Sequence, residues 1–274
     1  MFRPTTRRAS CLVLVALCSC ALSAFELKRP TLTAFERYAQ LTEARMATEV
    51  AGTSPFLWID RQPEKERAKL VAQLGRGEVV VARLETRDGA KEIDVPDGMI
   101  HHWIGTVLLP GVKLSRAIAF VQEYDKYPAR FGPTIQRARV LKHDGDRFEV
   151  FMRTWTKKVI TVVIDADYVV DYRTVTPARV WTKSVATNLR EVDKAGEPAE
   201  RSTAGDLADG FLWRFNNYCS FEERPAGTYE QCESISLTRR PPFGTGWIVK
   251  PFITGLPRET LEFTLGHVRS GLQR

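Results

Sequence analysis

The order of the predicted secondary-structure elements is what most constrains how this chain of 274 residues can fold. A helix is predicted over Lys113–Tyr124, after the strand-like Met99–Leu109 and the turn Pro110-Gly111. Strand candidates then fill Arg137–Thr238, and an amphipathic helix begins at Pro257. This last helix carries one apolar stripe at helical spacing, formed by Leu261, Leu265, Val268 and Leu272. A twisted antiparallel sheet laid over such a helix encloses a cavity, so we expect binding of an apolar molecule ahead of any reaction.

Five segments of the strand region alternate between apolar and polar residues: Arg147–Lys157, Val159–Arg173, Ala178–Glu191, Phe211–Phe221 and Tyr229–Arg239. Short turns such as Thr174–Pro177 join most of them, which favours an antiparallel meander. The polar stretch Val192–Gly210 is predicted to be a long loop, either disordered or a lid.

An N-terminal extension precedes the main domain. Helices are predicted over Leu32–Val50, with Phe35, Tyr38, Leu41 and Met46 on one face, and over Pro63–Leu74. Two strands, Glu78–Thr86 and a short one near Lys91–Val95, follow. We therefore divide the chain into residues 1–24, 25–76 and 77–274: a signal peptide, a helical extension and the main domain.

The first 24 residues have the pattern of an export signal. Arg3, Arg7 and Arg8 precede the uncharged run Cys11–Ala24, which ends in small residues and is shorter than the ~20 residues of a membrane span. We expect cleavage near Ser23 or Ala24 and a periplasmic or secreted protein without a transmembrane span. A buried N-terminal helix and a lipoprotein anchored through Cys20 are the alternatives. Contact with a membrane surface is left open.

The charge of the chain argues against nucleic acid as a partner. Removal of the three signal arginines lowers the formal net charge from +7 to +4. The remaining excess is spread along the chain, and no basic stripe alternates with aromatic residues.

Only Cys219 and Cys232 remain after the signal is removed, and a hairpin places them together. The turn Arg224-Pro225-Ala226-Gly227 joins two strand segments, and a hairpin centred between Pro225 and Ala226 sets the two cysteines opposite each other. In an oxidising compartment we predict a disulfide. Two free buried thiols are the alternative, because a shift of one residue in register would separate them.

The same hairpin register predicts a face on which large aromatic side chains oppose small polar ones. Trp213, Phe215 and Phe221 would share this face with the residues Cys232, Ser234, Ser236 and Thr238. This composition is typical of a ligand pocket with a few polar anchors. A core filled by the last helix is the alternative interpretation, and the sequence does not fix which face of the sheet is concave.

Several segments resemble those of the START-like, polyketide-cyclase and Bet v 1-like superfamily. Within it, the likeness is greatest to exported bacterial members of unassigned function. They are Ile100-His101-His102-Trp103-Ile104-Gly105-Thr106 with Leu109-Pro110-Gly111, Phe211-Leu212-Trp213-Arg214-Phe215, Cys232-Glu233-Ser234-Ile235-Ser236-Leu237-Thr238-Arg239 and Pro257-Arg258-Glu259-Thr260-Leu261. The resemblance covers about Glu78–Leu272. It implies an α+β helix-grip fold, in which a curved antiparallel sheet wraps around the long C-terminal helix and a hydrophobic cavity. Members bind lipids, sterols, quinones or polyketides, and a minority are enzymes.

Few residues suggest catalysis or metal binding. His101 and His102 are adjacent on a strand and point to opposite faces, so they cannot share a metal, although His101 could face the pocket. Asp165, Asp167 and Asp171 share one strand face and could gather a cation, but nearby basic residues favour surface ion pairs. Nucleophile-elbow, zinc-helix, phosphate-loop and Cys-x-x-Cys motifs are absent from the sequence. We predict no cofactor, no metal and no assigned catalytic residue.

Three functional hypotheses follow. The favoured one is an exported, non-catalytic protein that binds a hydrophobic small molecule such as a lipid or a quinone. Its predicted cavity residues are Trp155, Trp181, Trp213, Phe215, Trp247, Leu261, Leu265, Val268 and His101. The second is a cyclase- or hydrolase-type enzyme with His101 or a carboxylate as general base. The third is a fully packed scaffold that acts through its surface.

Overall fold

A computed structural model describes residues 28–157, 161–204, 212–240 and 246–274. The predicted signal segment lies outside these residues. Within them, no helix is both long enough and apolar enough to cross a membrane.

The main structural element is a nine-stranded sheet in which every pair of neighbouring strands is antiparallel. Its strands are β1 (Val80–Arg83), β2 (Gly98–Pro110), β3 (Ile135–Asp144), β4 (Arg147–Lys157), β5 (Thr161–Thr176), β6 (Arg179–Asp193), β7 (Arg201–Ala204), β8 (Leu212–Arg224) and β9 (Gly227–Arg239). They lie in the order β1-β2-β9-β8-β6-β5-β4-β3, and β7 pairs with β6. The chain is a meander from β3 onwards, and β9 returns to pair with β2, as the short predicted turns favoured.

Five α-helices accompany the sheet in the described residues: α1 (Lys28–Val50), α2 (Glu64–Gly75), α3 (Leu114–Gln122), α4 (Tyr127–Phe131) and α5 (Gly246–Leu272). Short 3-10 turns at Trp58–Arg61 and Tyr124–Lys126 precede α2 and α4. Since α5 packs on one face of the sheet and α1 on the other, we call these the inner face and the outer face. This arrangement confirms the predicted α+β helix-grip architecture.

The apolar stripe of α5 packs against the inner face as predicted. Leu261, Leu265, Val268 and Leu272 are buried in one cluster with inner-face residues of β2 and β8. Gly105 on β2 allows the close approach, because a Cβ atom built there would lie 2.7 Å from the Cδ1 atom of Leu265. The helix itself begins eleven residues before the predicted start, at Gly246 rather than Pro257. Pro251 and Pro257 lie inside it, although an interior proline removes a backbone donor and ordinarily kinks or breaks a helix.

The sequence analysis missed three elements. Strand β3 at the sheet edge, helix α4 and strand β7 within the predicted loop Val192–Gly210 were not expected. Conversely, the short strand predicted near Lys91–Val95 is reduced to one bridge between Asp88 and Lys91. The five residues of α4 and the four of β7 are too few for a pattern to emerge, and β3 is an edge strand with most of its residues exposed.

The N-terminal extension covers the outer face through apolar side chains and a buried polar network. The buried residues of α1 include Phe35, Tyr38 and Met46 from the predicted face. The Tyr38 hydroxyl lies 2.9 Å from Nδ1 of His102, and Nε2 of His102 lies 2.5 Å from Oε1 of Glu233. Arg45 also donates to this carboxylate, so α1 is held to β2 and β9 by a buried hydrogen-bonded network.

The predicted hairpin register and disulfide are both present. Cys219 pairs with Cys232 across β8 and β9, and their sulfur atoms are bonded. Because the sequence separation is 13 residues, the bond closes a short loop.

Loss of this bond is expected to lower the free energy of unfolding by roughly 3 kcal/mol, chiefly because the unfolded chain regains conformational freedom. The measurement is urea unfolding of the wild type and of a Cys219→Ser/Cys232→Ser double variant. The oxidised denatured wild type should contain no titratable thiol from this pair. Two titratable thiols, or identical unfolding curves, would contradict the prediction.

Candidate functional site

The centre of the inner face carries a patch of small and polar side chains. Strand pairing sets them in two adjacent rows across β6, β8 and β9, and alternation along each strand points them to the side of α5. We call this patch the trough; it consists of Thr182, Ser184, Asn217, Cys219, Cys232 and Ser234. The disulfide therefore forms part of its floor.

Large side chains stand on all four sides of the trough. Phe221 follows it at one end of β8, and Phe215 precedes it at the other. Tyr172 lies beyond it on β5 and Trp103 beyond it on β2. Small residues therefore lie among aromatic ones on this face, and α5 packs beside them where Leu265 contacts β2.

The floor of the trough also offers polar groups. The Nδ2 atom of Asn217 donates to Sγ of Cys219 at 3.2 Å. The hydroxyls of Thr182, Ser184 and Ser234 have no hydrogen-bond partner within the part of the chain that the structure describes. Such hydroxyls can donate to or accept from a bound molecule.

The structure brings five of the nine predicted cavity residues to the inner face. Phe215 borders the trough, His101 pairs with Ser236 on β9, and three residues of α5 pack nearby: Leu261, Leu265 and Val268. The side chain of Trp247 lies outside the described residues. The role of these residues in binding stays a prediction.

Three predicted tryptophans lie on the outer face instead. Trp181 stacks on Tyr218 with ring centroids 6.2 Å apart, and Trp155 pairs with Val163 on the side opposite the trough. Trp213 packs in the cluster beneath α1. The prediction that Trp213 shares a face with Phe215 is wrong, because a β-bulge between Leu212 and Arg214 reverses the alternation.

The two adjacent histidines point to opposite faces, as predicted. His101 is buried on the inner face with Nε2 2.8 Å from Oγ1 of Thr238. Desolvation, with a smaller effect of Arg83, lowers the pKa of His101 to about 4, so its imidazole is neutral at pH 7. His102 is part of the network beneath α1 and is remote from the trough.

Sequence reasoning missed an acidic residue on the inner face. Glu230 lies two residues before Cys232 on β9 and pairs with Phe221, so it points to the same side as the trough. Burial raises the pKa of Glu230 to about 8. The alternation that located Cys232 and Ser234 could have located this residue as well.

Tyrosine hydroxyls gather on the side of the trough formed by β5 and α4. The hydroxyls of Tyr124 and Tyr172 are 2.7 Å apart, and that of Tyr127 donates to the carbonyl oxygen of Val121 at 2.6 Å. Burial raises the pKa of all three phenols, so they stay neutral and can act only as hydrogen-bonding groups.

The three aspartates on β5 form ion pairs, as the sequence favoured over cation binding, but the pair of Asp165 and Arg153 is buried and not at the surface. Their partners are Arg153 for Asp165, Arg190 for Asp167 and Arg147 for Asp171. Within the described residues, no group of three or more acidic, histidine or cysteine side chains could hold a metal ion. Two open surface grooves lie between α1 and the loop that joins β1 to β2, lined in part by Arg37 and Ile93, and contain none of the predicted cavity residues.

Comparison with known proteins gives distant structural similarity. No protein-family model matches the sequence, and no curated protein matches it either. A STAR-related lipid transfer protein of Xanthomonas axonopodis (fragment 25–204) is 10% identical, with a TM-score of 0.44 over 71% of this chain and 99% of that chain.

Two further solved structures show similarity of the same order. The Zhui aromatase/cyclase of Streptomyces sp. R1128 is 10% identical, with a TM-score of 0.44 over 64% of this chain and 95% of that chain. The lipid transfer and protein localization domain of human StarD13 is 7% identical, with a TM-score of 0.42 over 77% and 98%. These are the classes that the resemblance in the sequence named. Identities this low, with TM-scores below 0.5, say nothing about the ligand or activity of this chain.

Proposed function

We propose that this chain binds a hydrophobic small molecule, such as a lipid or a quinone, over the trough on the inner face. The observation that carries the proposal is the trough itself, in which small polar residues are enclosed by Phe215, Phe221, Tyr172 and Trp103. The combination of apolar walls and a few polar groups is the composition of a small-molecule site.

We also propose that the protein works outside the cytoplasm. The signal pattern of residues 1–24 and the Cys219–Cys232 disulfide both support export, because disulfides persist in oxidising compartments. The division into a helical extension, residues 25–76, and a main domain, residues 77–274, belongs to the same proposal.

Filling the trough is expected to abolish binding. In Ser184→Phe a ring would occupy the floor between β5 and β8, so affinity for the fluorescent probe pyrenebutanol should fall by at least about tenfold, or 1.4 kcal/mol. The matched control is Thr187→Phe, which adds the same ring at an exposed position of the same strand. Binding would be followed by fluorescence titration, with circular dichroism to verify folding.

The two variants separate the hypotheses. Equal loss of affinity in both, or no loss in Ser184→Phe, would contradict a site over the trough. Absence of probe binding to the wild type would favour the packed scaffold. Turnover of a bound molecule that stops in His101→Ala would favour the enzyme hypothesis, because His101 is the neutral inner-face histidine that could accept a proton.

A further inference from the structure

Glu230 is placed at the border between the trough and the tightly packed end of the inner face. It lies between Val107 on β2 and Phe221 on β8, and it is only 3% exposed. Its carboxyl group leans along β9 towards the trough, since Oε1 is 3.8 Å from Sγ of Cys232. That sulfur belongs to the disulfide and carries no proton, so it cannot donate a hydrogen bond to Oε1.

One oxygen of this carboxyl group has no partner. Within the described residues, Oε2 of Glu230 is buried and makes no hydrogen bond. Buried polar atoms are nearly always satisfied, and leaving one unpaired costs about 1–3 kcal/mol. Folding alone gives no reason for an acid here, because Leu or Met would fill the same space without that cost.

The surroundings of Glu230 determine which kind of ligand group it could bind. Desolvation is the single cause of its raised pKa, so no cation compensates its charge. The nearby hydroxyls of Tyr127 and Tyr172 are bonded elsewhere, to Val121 and Tyr124. At pH 7 the group is mainly a neutral carboxylic acid, which offers one donor and an acceptor to a ligand.

We propose that Glu230 is a ligand subsite that hydrogen-bonds a neutral hydroxyl or carbonyl group on an otherwise hydrophobic molecule seated in the trough. This inference rests on the proposed function and narrows its ligand class. A neutral acid in an apolar setting selects against carboxylates and phosphates, because their charge would lose its hydration without a compensating cation. The predicted ligand is therefore a lipid-like alcohol or ketone, or a quinone, and not a fatty acid or a phospholipid head group.

The test uses three probes that share one fluorescent body: pyrenebutanol, butylpyrene and pyrenebutyrate. At pH 7 the full mature chain should bind pyrenebutanol at least about tenfold more tightly than the other two, the effect of one buried hydrogen bond. Glu230→Leu should remove the preference for the alcohol over butylpyrene. Glu230→Gln should keep most of it, because an amide can also donate and accept.

The outcomes distinguish the role of Glu230 from the existence of the binding site over the trough. If none of the probes binds, the proposed site over the trough is wrong, and so is the proposed role of Glu230. If all three bind with equal affinity, or the preference for the alcohol persists in Glu230→Leu, the site stands and the role of Glu230 is wrong. The probe series on the wild type decides the matter even if Glu230→Leu does not fold.

Discussion

Replacement of Leu265 by alanine is expected to lower the free energy of unfolding by about 2–5 kcal/mol. Leu265 is fully buried where α5 meets β2, and the shorter side chain would leave a cavity beside Gly105. Urea unfolding of both proteins measures the difference. The matched control is Leu141→Ala, since Leu141 is 47% exposed and its loss should change stability by less than about 0.5 kcal/mol.

The contact between Leu265 and Gly105 also predicts that substitutions at the two positions are energetically coupled. Gly105→Ala alone should destabilise, because its new methyl group would lie 2.7 Å from Cδ1 of a leucine that is packed on every side. In the Leu265→Ala background the same methyl group has room. The two changes should therefore be coupled by about 1 kcal/mol or more in a double-mutant cycle. Additive effects would contradict the packing of α5 described here.

The second large effect concerns the pH dependence of stability at Glu230. Burial raises the pKa of this carboxyl group from its ordinary value of 4.5 to about 8. The stability contributed by the bound proton is complete below pH 4.5 and is lost as the pH rises towards about 8. Over this window the wild type should lose about 4 kcal/mol relative to Glu230→Gln, whose amide does not titrate.

Urea unfolding of the wild type and of Glu230→Gln between pH 4.5 and 8.5 tests this. Other titrating groups cancel in the difference between the two proteins. The disulfide of Cys232 does not titrate, and the neighbouring phenols of Tyr127 and Tyr172 stay neutral throughout. The control is Glu36→Gln, which makes the same change at an exposed position on α1. A constant difference between Glu230→Gln and the wild type would show that Glu230 is ionised throughout, contrary to our account.

The parts of the fold that follow a simple period were predictable from the sequence. The apolar stripe of α5 and the register that pairs Cys219 with Cys232 follow from spacing alone. The two faces of β2 follow from the alternation that separates His101 from His102. These features depend on local geometry, which neighbouring residues determine.

The predictions failed where one residue interrupts the alternation along a strand, or where a segment distant in sequence determines which face of the sheet is covered. A bulge near Leu212 moves Trp213 to the outer face, and nothing in its immediate sequence marks it. Trp181 lies beneath the N-terminal extension, and a strand pattern cannot tell which face a helix from elsewhere will cover. Glu230 was missed because a single charge in a strand usually indicates a solvent-facing position.

The central claim is that the inner face holds a hydrophobic molecule, and one measurement tests it most directly. The mature chain, produced with its own signal in an oxidising compartment and purified gently, would be weighed by mass spectrometry under native and denaturing conditions. We expect the native mass to exceed the denatured mass by one neutral, apolar molecule, and Ser184→Phe to lack it. Equal native and denatured masses, together with no stabilisation by a panel of lipids and quinones, would contradict the claim.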